Sequence, residues 1–101
     1  MLDVRRTDEF DQWLDNLRDR QGRANIIRRI VRLEDGNFGD HKFFDGIGEL
    51  RVHADPGYRV DFVKNGDTIV ILLCGGDKGS QRRDIDRALA MAKELQDGDH
   101  N

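Results

Sequence analysis

Residues Ile69 to Cys74, IVILLC, are apolar at every position, and this stretch limits the fold more than any other part of the chain. A strand with apolar side chains on both faces must be covered on both, so Thr68 to Cys74 is expected to be an interior strand of a layered domain. The run follows Lys64-Asn65-Gly66-Asp67. Asn-Gly between two strand-like segments is the strongest short-range hairpin signal in the chain. The run ends in Gly75-Gly76, with Lys78 and Ser80 just beyond. The glycines read as a strand-to-helix connection at positive φ, and Ser80 as the cap of a last helix.

The segments before the hairpin supply its neighbours. Tyr58-Arg59-Val60-Asp61-Phe62 alternates, with Tyr58, Val60 and Phe62 on one face and Arg59 and Asp61 on the other. Glu49-Leu50-Arg51-Val52-His53 alternates in the same way, which places Glu49, Arg51 and His53 on its polar face. Asp55-Pro56-Gly57 between them reads as a turn. The three later strands therefore form an antiparallel meander. Phe38 to Gly48, rich in glycine and phenylalanine, reads as an irregular but anchored loop. Leu2 to Arg6 is a short strand candidate.

The covering layers are helical. Thr7 is placed to cap a helix whose first turn holds Asp8 and Glu9. Phe10, Trp13, Leu14 and Leu17 make its apolar stripe, which runs out near Arg20, with Gly22 as a break. A second helix is expected from about Arg23 to Glu34, with Arg28, Arg29 and Arg32 opposite its apolar stripe and Gly36 as its left-handed cap. The pair forms an αα-hairpin. Ile85, Ala88, Leu89, Ala92 and Leu95 form the stripe of a C-terminal helix, with Gln96 to Asn101 a frayed tail. The expected order is β-α-α-β-β-β-α, an α+β fold in a single domain over residues 1–101.

Charge and cysteine use narrow the functions. The net charge is −3, which argues against a simple basic nucleic-acid binder. The balance is local, because Arg23 to Arg32 holds four arginines and no acid. The apolar run is too short to span a membrane, and MLDVRRTDEF carries no apolar signal segment. Cys74 is the sole cysteine, which supports no disulfide framework and fits an inert buried thiol in a reducing cytosol. A phosphate-binding loop requires lysine directly after a glycine at fixed spacing. Here Lys78 precedes Gly79, so no nucleotide cofactor is implied. No His/Cys or acidic spacing implies a metal.

One polar constellation stands out. Arg51, His53 and Arg59 project from the polar faces of neighbouring strands, and Lys78 leaves the end of the apolar strand. In simple register the four converge near one end of the sheet. Such a set can neutralise a phosphate and stabilise a five-coordinate transition state, with His53 able to shuttle a proton.

Several blocks also resemble the RelE/ParE superfamily of toxins, closest to the HigB-like addiction module killer branch. They are Phe10-x-x-Trp13-Leu14, Asp35-Gly36-Asn37-Phe38-Gly39-Asp40, Glu49-Leu50-Arg51, Gly57-Tyr58-Arg59-Val60, Leu72-Leu73-Cys74-Gly75-Gly76-Asp77-Lys78, and Gln81 with Asp84-Ile85 and Ala88. The resemblance implies a helical hairpin packed on an antiparallel sheet. It implies the toxin of a type II toxin–antitoxin pair, a cytoplasmic mRNA interferase that cuts mRNA on the ribosome by metal-independent 2′-OH attack. Its partners would be the ribosome, mRNA and a small helix-turn-helix antitoxin, with no membrane. Arg51, His53, Arg59 and Lys78 would be catalytic; Arg28, Arg29, Arg32, Lys42, Gln81 and Arg82 would contact RNA or the ribosome. The chain has no tyrosine after Tyr58 to match the C-terminal catalytic tyrosine of RelE. Two alternatives stay open: a ParE-like, non-catalytic inhibitor of DNA gyrase, and a degenerate homologue that binds only an antitoxin.

Overall fold

The computed structural model describes residues 1–53 and 57–98. The expected turn at Asp55-Pro56-Gly57 lies largely outside the described residues. The elements are β1 (Asp3–Arg6), α1 (Asp8–Asp15), α2 (Arg20–Glu34), β2 (His41–Phe44), β3 (Ile47–Val52), β4 (Tyr58–Asn65), β5 (Ile69–Asp77), a short 3₁₀ turn (Lys78–Ser80) and α3 (Gln81–Gly98). One five-stranded sheet has the order β1-β5-β4-β3-β2. β2 to β5 form an antiparallel meander, and β1 joins parallel to β5. The fold class is the expected α+β.

β5 is an interior strand with helices over both faces, as its sequence requires. On one face α1 and α2 cover Leu50, Val52, Tyr58, Val60, Phe62, Val70 and Leu72; on the other, α3 covers Ile47, Leu73, Cys74 and their neighbours. Phe10, Ile26, Leu33, Phe62, Leu72 and Leu73 are wholly removed from solvent. Each such side chain contributes about 1.5–3 kcal/mol relative to exposure. Asp61 pairs with Cys74 and Phe62 with Leu72, which leaves Leu73 unpaired as a bulge. The extra residue lets Leu73 and Cys74 both join the α3 core.

Four local expectations are corrected. The loop expected over Phe38 to Gly48 contains strand β2, joined to β3 by Asp45-Gly46, both at positive φ. That pair is a tight hairpin turn, so the order gains a fourth late strand. α1 stops at Asp15, well before Arg20, and Gly22 is not a break. It is buried in the first turn of α2, where a Cβ would lie 2.4 Å from Tyr58 Cε2. Asp19 caps this helix through Gly22 N–H at 3.0 Å and accepts the Tyr58 hydroxyl at 2.8 Å. The helical segment after β5 is capped by Asp77, with Ser80 completing a reciprocal capping box.

The fourth correction concerns Gly75-Gly76. Both are residues of β5, and neither has positive φ. They are small because the sheet is approached closely from both sides. A Cβ on Gly75 would lie 2.4 Å from the Trp13 ring, and one on Gly76 would lie 1.8 Å from Asp84 Oδ2. Trp13 belongs to α1 and Asp84 to α3, so the two glycines set how closely each helix seats.

Candidate functional site

The register of β3 and β4 places Arg51 opposite Arg59 and Glu49 opposite Asp61, all on the face toward α3. The polar face foreseen in the sequence is therefore partly covered. Glu49 and Asp61 are each 1% exposed. Glu49 Oε1 lies 3.4 Å from Arg59 Nε and 3.5 Å from Arg51 Nε, and Oε2 accepts from Gln81 Nε2 at 3.2 Å. The Arg59 contact is an ion pair without hydrogen-bond alignment. One buried carboxylate thus gathers two guanidinium groups, whose attraction offsets part of the cost of burying its charge.

Asp61 is less well served. Its Oδ2 receives only the Cys74 thiol at 3.8 Å, and Oδ1 has no partner among the described residues. Burial, then the negative charges of Glu49 and Asp84, push its carboxyl up to about 7. Burial also pushes the Cys74 thiol up, with Asp61, Asp84 and Glu9 adding to it, so this thiol is inert near neutral pH. Asp84 accepts a hydrogen bond from the Ser80 hydroxyl. Sequence reading put Glu49 and Asp61 on the same polar faces as the arginines, within pairing reach of Arg59, but took those faces as exposed; Asp84, distant in sequence, was not connected to them.

Neither His53 nor Lys78 bonds directly to the arginine pair. β3 ends at Val52, and His53 lies one residue beyond it, its imidazole hydrogen-bonded to Asp40 Oδ2. That bond, with the nearby positive charges of His53, Arg51 and Arg29, holds the Asp40 carboxyl below its usual range. Arg51 Nη1 lies 4.0 Å from Asp40 Oδ1, so Asp40 links His53 to the arginine pair. Lys78 opens the 3₁₀ turn, is exposed, and makes no hydrogen bond or ion pair among the described residues.

The α2 arginines meet His53 on the other side of Asp40. Asn25, Arg28, Arg29, Arg32, Asp40, Val52 and His53 line a cavity of about 410 Å³. Arg28 and Arg32 are exposed, whereas Arg29 is turned inward. Its guanidinium donates to the carbonyls of Arg51, Phe38 (2.8 Å) and Asp40 (3.1 Å) and ties α2 to β3 and to the segment before β2. Gln81 is likewise committed to Glu49. Lys42 is exposed on edge strand β2 with its ammonium 5.7 Å from the Phe44 ring centroid, and Arg82 is exposed in the first turn of α3. Among the described residues, no group of three His, Cys, Asp or Glu side chains is placed to hold a metal ion, and no helix is long and apolar enough to cross a membrane.

Fold and site together define a small α+β domain with an arginine pair anchored on a buried acid and a separate basic cavity beside a histidine. Residues 12–97 match the family described as Phage derived protein Gp49-like (DUF891), and the chain belongs to that family, which is associated with toxin–antitoxin modules. It is similar to an uncharacterized protein of Haemophilus influenzae, with 46% identity over 95 residues that cover 93% of this chain and 96% of that protein. No solved structure matches.

Proposed function

We propose that this chain is the toxin of a type II toxin–antitoxin pair and a ribosome-dependent mRNA endonuclease, as the RelE/ParE resemblance implies. The observation that carries this reading is the Arg51–Arg59 pair, opposed across β3 and β4 and held by Nε on the same buried Glu49 oxygen. With Nε turned to Glu49 and Arg51 Nη1 toward Asp40, Arg51 Nη2 and the Arg59 Nη groups are left for a phosphate, already in position before substrate arrives.

In the proposed reaction a ribose 2′-OH gives up its proton and its oxygen bonds to the adjacent 3′ phosphorus. The bond from that phosphorus to the next 5′-oxygen breaks, and the 5′-oxygen takes up a proton. Arg51 and Arg59, with Lys78, balance the added charge of the phosphorane. His53, held by Asp40, moves the proton. Arg28, Arg32, Lys42 and Arg82 contact RNA or the ribosome, while Arg29 and Gln81 support the site from within. The module's second member is a small helix-turn-helix antitoxin, and the setting is cytoplasmic.

The test is mRNA cleavage in a purified translation system, mapped by primer extension, with wild type beside Arg59→Ala and His53→Ala. His53 is 75% exposed at its side chain, so its removal leaves the core intact. Ribosome-dependent cuts in the A-site codon, lost or strongly weakened in both variants, support the reading. Absence of such cuts with wild type overturns it, and inhibition of gyrase supercoiling in their place would establish the ParE-like alternative.

A further inference from the structure

We infer that the outer edge of the sheet is a stacking platform for an unpaired RNA base, formed by Phe43 and His41 beside the basic cavity at His53. It rests on RNA as the proposed target but not on cleavage.

The observations are independent of the arginine pair. Phe43 is 52% exposed on the outermost strand, where about half of a large apolar ring has no cover among the described residues. His41 is exposed beside it, with ring centroids 5.3 Å apart. Both rings rest on Phe38, at 6.2 Å and 5.1 Å, and Phe43 also meets the buried Phe62 at 5.6 Å. The strip is therefore backed by the core and is rigid before anything binds. Rigid aromatic faces suit bases of any sequence, since every base presents a π-face.

Charge flanks the strip at both ends. Lys64 Nζ lies 5.7 Å from the Phe38 centroid. At the other end Arg29 bonds the carbonyls of Phe38 and Asp40, and both Arg29 and Asp40 line the cavity shared with Arg28, Arg32 and His53. Exposed Arg28 and Arg32, backed by the charge of inward-turned Arg29 and faced by a single acid, make this cavity a place for phosphate in a chain of net charge −3. An aromatic surface between cations favours nucleic acid over an apolar protein segment. A protein strand added to β2 would be held by backbone bonds and would accept leucine in place of phenylalanine.

Fluorescence anisotropy of a fluorescein-labelled single-stranded RNA of about 12 nucleotides tests the platform. The proteins are wild type, Phe43→Leu, Phe43→Tyr and Arg28→Gln/Arg32→Gln, each first matched to wild type by thermal melting. Phe43→Leu should weaken binding roughly 5- to 150-fold, the range for loss of one base–aromatic stack. Phe43→Tyr should bind as wild type, and the double arginine variant should bind more weakly with a shallower salt dependence. Equal affinity of Phe43→Leu and wild type, or no binding of the RNA by wild type, overturns the platform. So does capture of a protein strand on β2 that Phe43→Leu leaves unchanged. RNA binding lost in Phe43→Leu, in a protein that cuts no mRNA on ribosomes, would uphold the platform and refute only the nuclease. Ribosomal cleavage unaffected by Phe43→Leu, with no affinity for free RNA, would do the reverse.

Discussion

Replacing Asp61 by Asn should make the protein more stable above neutral pH. The side chain is 1% exposed, one oxygen has no partner, and its neighbours across the sheet and from α3 are acids. In the folded state its carboxyl titrates at about 7, against 3.8 unperturbed. Between these values the folded chain holds a proton that the unfolded chain has released, so stability falls as pH rises through this window and levels off above it. About three pH units at 1.36 kcal/mol each give a cost near 4 kcal/mol at pH 8. Asn keeps the shape and removes the charge, but its amide must find partners in the same pocket, which costs about 1–2 kcal/mol. The net gain expected at pH 8 is therefore about 2 kcal/mol, shrinking toward zero or reversing near pH 4. Urea unfolding at half-unit steps from pH 4.5 to 8.5 reads this directly. Wild type should lose about 1.4 kcal/mol per unit below pH 7, over and above the slope that the variant shows. Parallel pH profiles for the two proteins would refute the assignment, and so would a variant less stable than wild type at pH 8.

Gly76→Ala should cost at least about 1–3 kcal/mol, because the new methyl overlaps Asp84 and Ser80 at the start of α3; a thermal melt within a degree of wild type would show that α3 can move aside freely. Gly75→Ala should in addition displace Trp13, the only tryptophan, and shift its emission to the red. Arg29→Ala should destabilise by about 2–3 kcal/mol, since it strips charged donors from three carbonyls, while Arg28→Ala should change stability by under about 0.5 kcal/mol; equal losses in chemical denaturation would remove the distinction between clamp and surface.

How much was legible depended on whether local chemistry or tertiary contact made the decision. The Thr7 cap, the Asn65-Gly66 hairpin and the two-sided apolar strand are local, and each stands as read. β2 was missed although Asp45-Gly46 is a turn signal of the same kind in sequence as Asn65-Gly66. HKFF has no buried face of its own and depends on pairing with β3. Alternation correctly put Arg51 and Arg59 on one face. It failed for His53 because the strand stops at Val52, and period two holds only while a strand continues. The same alternation marked Glu49 and Asp61 as polar and hence as wet. Nothing local reveals that α3 folds back over them. Arg29 looked like its neighbours Arg28 and Arg32, and only the approach of three carbonyls separates it from them.

The parallel pairing of β1 with β5 has a bearing on how the molecule comes into being. The Thr7 hydroxyl donates to Leu73 O, 66 residues further along, and β1 takes its register from Ile69 to Leu72. At about 5–20 residues per second, the N-terminal segment waits roughly 3–13 s for its partner to be synthesised. Until then β4 lacks its inner neighbour, and Arg59 lies on an unfinished edge, since its partner on that side is Gly76. A nascent chain is therefore not a smaller copy of the finished fold: the register of the first strand and the inner edge of the arginine face both wait on β5.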